Sequence, residues 1–194
     1  MTERLPRLTP DRLTPAQAEV YEAIAGGPRA AGPQLFALKD AEGALNGPFG
    51  IMLHQPALGL ALQELGAAVR YRTSLTGRCR EIAILQAAVV ADSAFEWYAH
   101  EAVGRAAGLT DDELDALREG RFTSQDPTEE AVARFTDELL ARNTIGQADY
   151  DRFERLLGAP VMVELVVLVG YYGTLATLMD VFDVGVPDEE STER

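Results

Sequence analysis

Apolar residues recur at intervals of three and four along most of this chain, the spacing that lines one face of an α-helix. Leu58, Leu62, Leu65 and Val69 form one such stripe after Pro56. Ile82, Leu85 and Val89 form another in a segment that begins near Arg78, and Val132, Phe135 and Leu139/Leu140 form a third behind Asp126-Pro127. Each predicts a helix that turns its stripe to a core. Ahead of them, Thr14-Pro15-Ala16-Gln17 combines a capping threonine, a proline at the first helical position and a glutamine three residues past the cap. That helix is expected to run to about Ala25 and to stop at Gly26-Gly27-Pro28. From there to Gly50 no period is sustained and glycine and proline are frequent. The stretch reads as mostly loop with one short helical turn, the kind of segment that often borders a ligand site.

Further along, Ala91-Asp92-Ser93 either breaks a helix or caps a new one, because aspartate and serine compete for backbone hydrogen bonds. The helix that follows carries His100, Val103 and Ala107 and ends at Gly108, which can take the left-handed closing conformation. Thr110-Asp111-Asp112-Glu113 spells a capping box for a brief helix toward Leu117. Another helix is expected from Gln147 to Leu157, then punctuation at Gly158-Ala159-Pro160, then a long apolar helix ending near Val184 before Gly185 and Pro187. Helical spacing throughout predicts an all-α fold. No linker separates two cores, so residues 1–194 are expected to form a single domain, with a polar, frayed tail over the last eight residues.

Hydrophobic residues make up 47% and charged residues 25% of 194 residues, the profile of a soluble globular chain. The formal charge of −14 and the lack of a basic stripe argue against nucleic acid as a partner. Only Val161 to Phe182 invites a membrane reading, and Glu164, Gly170 and Asp180 interrupt it; a buried or subunit-interface helix is expected, with no membrane partner. The opening Met-Thr-Glu-Arg-Leu-Pro-Arg has no apolar signal core, which makes a cytoplasmic location the expectation. Cys79 is the single cysteine and is read as a buried, inert thiol. The glycine clusters lack nucleotide-binding spellings.

Against that background the histidines stand out, because there are two. In Ala94-Phe95-Glu96-Trp97-Tyr98-Ala99-His100, Glu96 and His100 are four residues apart and share a helix face. A carboxylate can fix an imidazole's tautomer, giving a proton-transfer pair. Ser93 offers Glu96 a rival, structural role as its capping-box partner. Glu96, His100 and His54 also supply ligand types that suit zinc or iron, but no short histidine motif fixes a site, and neither a metal nor a cofactor is expected.

The ordered set Gly47-Pro48-Phe49, Met52-Leu53-His54-Gln55-Pro56, Arg80-Glu81-Ile82-Ala83-Ile84-Leu85, Phe95-Glu96-Trp97-Tyr98-Ala99-His100, Ala107-Gly108-Leu109-Thr110 and Glu164-Leu165 through Gly170-Tyr171-Tyr172 resembles the carboxymuconolactone decarboxylase family, within the alkylhydroperoxidase-D-like helical superfamily. The resemblance covers about residues 45–183, with an N-terminal helical extension before it. It implies a single-domain AhpD-like helical bundle and a homo-oligomer, commonly trimeric or hexameric. The redox branch of that superfamily uses two cysteines separated by two residues upstream of a histidine. None stands between Phe95 and His100, so the chain is similar to the non-redox branch, whose named activity is loss of carbon dioxide from a carboxylated lactone in aromatic catabolism.

The resemblance implies a cofactor-independent decarboxylase, a lyase, of a small carboxylated lactone or related cyclic acid. An isomerase or hydrolase on the same scaffold, and a non-catalytic small-molecule-binding oligomer, are the alternatives. His100 is the first candidate for the proton, with Glu96 orienting it; His54 is the second, and equally suits a structural hydrogen bond. Glu81 matches a family position and is either a further acid–base group or a helix-packing acid. Arg80 can grip a substrate carboxylate with two parallel hydrogen bonds or pair internally with Glu81 or Glu164. Trp97, Tyr98 and Phe49 are candidate walls for an apolar ring, and Trp97 equally suits the core.

Overall fold

The computed structural model describes residues 4–27 and 35–187, and among these every regular element is helical. The chain's contacts divide it into two compact units, one holding the residues up to Ala68 with those from Leu175 onward, the other Val69–Thr174.

Side-chain caps set most helix starts. Thr14 Oγ1 accepts from the Gln17 backbone and Gln17 Oε1 from the Thr14 backbone, a complete capping box that opens α1 (Pro15–Ala25). In the same unit Asp40 Oδ1 accepts from the amides of Glu42 and Ala44, folding residues 40–44 into a turn beside the isolated bridge Lys39–Leu45. The short α2 (Pro48–Met52) follows, the single helical turn expected between Gly26 and Gly50. Residues 28–34 of that stretch, and residues 188–194 of the expected frayed tail, lie outside the described residues.

One expectation fails on α3 (Pro56–Tyr71). Leu58 is 69% and Leu65 40% exposed, so these members of the stripe do not face a core, whereas Gly59, Gly66, Ala67 and Val69 are buried. The cause is close packing: a Cβ built on Gly59 would lie 2.2 Å from the Met52 carbonyl oxygen, so the helix approaches that backbone through its small residues.

In the second unit, Thr76 caps α4 (Gly77–Val90) by accepting from the Cys79 amide. Ser93 caps α5 (Ala94–Ala106), Thr110 and Glu113 form the expected box at α6 (Asp111–Arg118), and Asp126 accepts from Thr128 and Glu129 at α7 (Pro127–Arg142). Gly108 closes α5 at φ 98°, with Leu109 N–H donating to the Gly104 carbonyl. α4 packs on α5, α6 and α7. It is therefore buried on every side from Glu81 through Ala88, in place of the one-sided stripe expected from Ile82, Leu85 and Val89. Gln86, one of its buried polar residues, donates to the Ala133 carbonyl at 3.1 Å and to Asp137 at 2.6 Å.

The two C-terminal helices expected from the sequence lie within α8 (Gln147–Phe182) and meet at Gly158, whose φ of 77° and ψ of 153° are not helical. The helix ends at Phe182, close to the expected end near Val184, and Asp183 takes the left-handed conformation. Val184 N–H then donates to the Met179 carbonyl. By length and composition α8 could cross a membrane, and 44% of its most apolar window is buried in the protein.

Gly59→Ala is expected to lower stability by about 1–3 kcal/mol because a backbone carbonyl blocks the new methyl. Ala57→Ser, on the exposed side of α3, is expected to stay within about 0.5 kcal/mol of the parent. Denaturant midpoints of the two variants check this, and an unaffected Gly59→Ala would refute the close approach.

Candidate active site

Three ionisable side chains meet inside the Val69–Thr174 unit. Glu81 projects from the first half of α4, and Glu96 and His100 from successive turns of α5. His100 Nδ1 lies 2.7 Å from Glu81 Oε2, and His100 Nε2 lies 3.7 Å from Glu96 Oε2. All three are buried, with Glu81 1%, Glu96 3% and His100 3% exposed. The ring of Tyr172, from α8, meets the imidazole edge-on at 5.1 Å, and Tyr171 packs against Tyr172 in the same manner.

Glu81 is an acceptor for His100, which places the imidazole hydrogen on Nδ1 and leaves the Nε2 lone pair directed toward Glu96. Burial lowers the pKa of His100, against the charge and hydrogen bond of Glu81, while Arg70 and Arg80 add to the lowering. Burial raises the Glu96 carboxyl to about 8; Arg70 opposes that rise and Glu81 adds to it. Near neutral pH the pair is thus a neutral carboxylic acid facing a neutral imidazole, and their 3.7 Å separation is not an ion pair. Glu96 Oε1 has no hydrogen-bond partner among the described residues.

Ser93 Oγ accepts from the Glu96 backbone at 3.4 Å, but the reciprocal bond of a capping box is not formed. The Glu96 carboxyl is turned toward His100 instead. Arg80 Nε lies 3.8 Å from Glu81 Oε1, whereas Glu164 accepts from the amide and hydroxyl of Ser74. Trp97 lies against the apolar cluster of Ile82, Leu85, Leu109, Leu114, Leu117 and Ala133, with Arg118 stacked on its ring at 4.3 Å. Tyr98 packs on Phe95 at 6.2 Å between ring centroids. His54 and Phe49 belong to the first unit, where His54 Nε2 donates to the Pro6 carbonyl at 3.1 Å and Phe49 is buried. Among the described residues no cluster of His, Cys, Asp and Glu is arranged to hold a metal ion.

Two participants went unrecognised in the sequence as parts of a site. Tyr172 was legible only as a piece of a family motif. Arg70 follows an apolar helix face, and its charge acts on Glu96, His100 and Tyr172. The signal that could have found it is a cation placed between Val69 and Tyr71 at the end of an otherwise apolar helix.

The model of the carboxymuconolactone decarboxylase family matches residues 56–138, from the start of α3 into α7. Over that span, which is less than half of the chain, the sequence is similar to the carboxymuconolactone decarboxylase family. The matched residues include Arg70, Glu81, Glu96 and His100, while Tyr172 lies beyond them. No curated protein matches the sequence. Among solved structures, an uncharacterised peroxidase-related protein with an alkylhydroperoxidase AhpD core from Ralstonia eutropha JMP134 superposes with a TM-score of 0.75 at 15% identity, covering 96% of this chain and 93% of its own. A cysteine-to-alanine variant of the debrominase Bmp8, bound to 2,3,4-tribromopyrrole, gives 0.71 at 14% identity, covering 96% and 93%. A protein of unknown function from Agrobacterium tumefaciens, bearing the name of the antioxidant defence protein AhpD, gives 0.62 at 19% identity over 70% of this chain and 94% of its own. At these identities the likeness establishes the AhpD-like all-α fold and nothing finer.

The raised Glu96 pKa carries a stability signature. The folded protein keeps a proton that the unfolded chain releases above pH 4.5, so this contribution is complete below 4.5 and is lost as pH climbs to about 8. His100 acts in the opposite sense, its unfolded form taking a proton as pH falls through 6.5. Comparing wild type with Glu96→Gln isolates the first effect. The difference in denaturant midpoint should move in favour of the variant as pH rises between 4.5 and 8, and a flat difference would refute a protonated Glu96.

Proposed function

We propose that the protein is a cofactor-independent lyase that decarboxylates a small carboxylated lactone or a related cyclic acid. The observation that carries this reading is the Glu81–His100–Glu96 arrangement, a buried imidazole anchored at Nδ1 with its Nε2 facing a protonated carboxyl. The likeness to the family model over residues 56–138 supports the substrate class. A redox cycle through a local dithiol has no residues to run on, since Cys79 is the single cysteine and lies buried on α4.

In the proposed reaction the bond between the substrate's ring carbon and its carboxylate carbon breaks. The electron pair moves into the conjugated lactone, and carbon dioxide leaves. The carboxyl of Glu96 delivers a proton to the carbanionic carbon, and the resulting carboxylate is reprotonated from solvent through His100 Nε2, one proton being consumed per turnover. Glu81 holds the imidazole and stabilises its charge while the proton passes. Burial keeps the proton on Glu96 until a carbon base of sufficient strength has formed.

The same reading assigns the exposed valines of α8, Val163, Val166 and Val167, to contact between copies of the chain, as the family resemblance implies. The tyrosines at 171 and 172 would face the ring of the substrate.

Carbon dioxide release from a panel of carboxylated lactones and conjugated cyclic acids tests the reaction. Activity on a panel member should fall about 10²–10⁴-fold in His100→Asn with the fold retained. Its alkaline limb should lie near pH 8, where Glu96 loses its proton, and disappear in Glu96→Gln along with most of the rate. A panel without any turnover, or His100→Asn at full rate, would sink the proposal.

A further inference from the structure

We propose that Arg70 is the anion-holding residue of this site, and that it binds the carboxylate or oxyanion that the product retains, not the carboxylate that leaves. This rests on the acid–base reading of Glu96 and His100 given above.

Arg70 stands at the C-terminal end of α3, part-buried, in the same unit as the acid–base groups. Its guanidinium lies over the ring of Tyr71 at 5.7 Å and forms no ion pair or hydrogen bond with the described residues. The carboxylates its field reaches are already engaged or discharged. Glu81 accepts from His100 and lies 3.8 Å from Arg80 Nε, and Glu96 keeps its proton. A guanidinium always carries its charge, and holding one away from water without a counter-ion is costly. An anion from outside would relieve that cost, and the planar fork suits a carboxylate through two parallel hydrogen bonds. Arg80, the other arginine near the triad, has Glu81 beside it and is the weaker candidate. Glu96, His100 and Tyr172 are each 3% exposed, whereas Arg70 is only part-buried.

Which anion it holds follows from the charge flow of decarboxylation. The leaving carboxylate loses its charge on the way to the transition state, so a guanidinium on that group would stabilise the ground state more than the transition state and slow the step. A retained carboxylate keeps its charge, and a carbonyl oxygen of the conjugated system gains charge; Arg70 on either is neutral or helpful. The site therefore favours acids with a second anionic or charge-accepting group. Binding such a group also offsets the Arg70 charge that depresses Glu96 and His100, which holds the proton on Glu96 more firmly when substrate is present.

Benzoate is a suitable probe: a monoanion that resembles a product and has no second carboxylate to lose. Titrated into the full-length protein by calorimetry, it should bind saturably and raise the midpoint of the His100 imidazole titration followed by NMR. Benzamide should bind at least about tenfold more weakly, the loss expected when a charge-assisted hydrogen bond is removed. Arg70→Gln should weaken benzoate at least about tenfold and should itself raise the His100 midpoint, with Arg70→Lys recovering part of the affinity and Arg80→Gln keeping it. The lysine variant and the His100 signal report on folding independently of binding. No saturable binding to the wild type, undiminished binding to Arg70→Gln, or an equal loss in Arg80→Gln would each overturn the assignment to Arg70. Full turnover in His100→Asn alongside Arg70-dependent benzoate binding would instead refute the acid–base reading while leaving the anion site in place.

Discussion

The 2.7 Å contact between His100 Nδ1 and Glu81 Oε2 joins residues 19 apart in sequence and ties α5 to α4 where both are buried. Two polar groups in that position are costly to bury, and each offsets part of the other's cost; removing one would leave its partner desolvated and without this bond. The pairing explains why α4 can be covered on every side by α5, α6 and α7 and still carry a carboxylate in its middle. It also limits what the imidazole can do, because a ring anchored at one nitrogen has a single direction in which to exchange a proton.

That direction is occupied by Glu96. Desolvation has opposite effects on the two groups, lowering the pKa of the imidazole and raising that of the carboxyl, so both are neutral near physiological pH. Acid–base sites are recognisable by such divergence, and Tyr172, edge-on to the imidazole and backed by Tyr171, helps to keep water from it. The three solved structures described above share this fold at 14–19% identity. The helical frame is thus compatible with very different side chains, and function has to be argued from the residues the frame presents.

Much of the fold was legible in local sequence because capping is local chemistry. The boxes at Thr14 and Thr110 and the glycine closing α5 all operate within a few residues of chain, and each forms as read. The Ser93–Glu96 spelling marks the point at which this logic stops. It is as well formed in sequence as the others, yet only the hydroxyl-to-amide half is made, because the Glu96 carboxyl is drawn into the interior beside His100. Leu58 and Leu65 make the same point on α3, where the helical period was read correctly and the buried face was not. Periodicity reports which residues share a face; close backbone approach through Gly59 selects the face that packs.

By itself, the sequence determined the helical class, most helix boundaries, the absence of a dithiol and the adjacency of Glu96 and His100. These follow from backbone hydrogen bonding, composition and the 3.6-residue turn, none of which requires a partner distant in the chain. The tertiary structure alone decided that Glu81 anchors His100, that α4 is enclosed, and that Arg70 and Tyr172 complete the surroundings of the imidazole. Those outcomes depend on which helices meet and how far water is driven from between them. Burial, and with it every pKa shift in the site, is a property of the assembled helices and of no single segment.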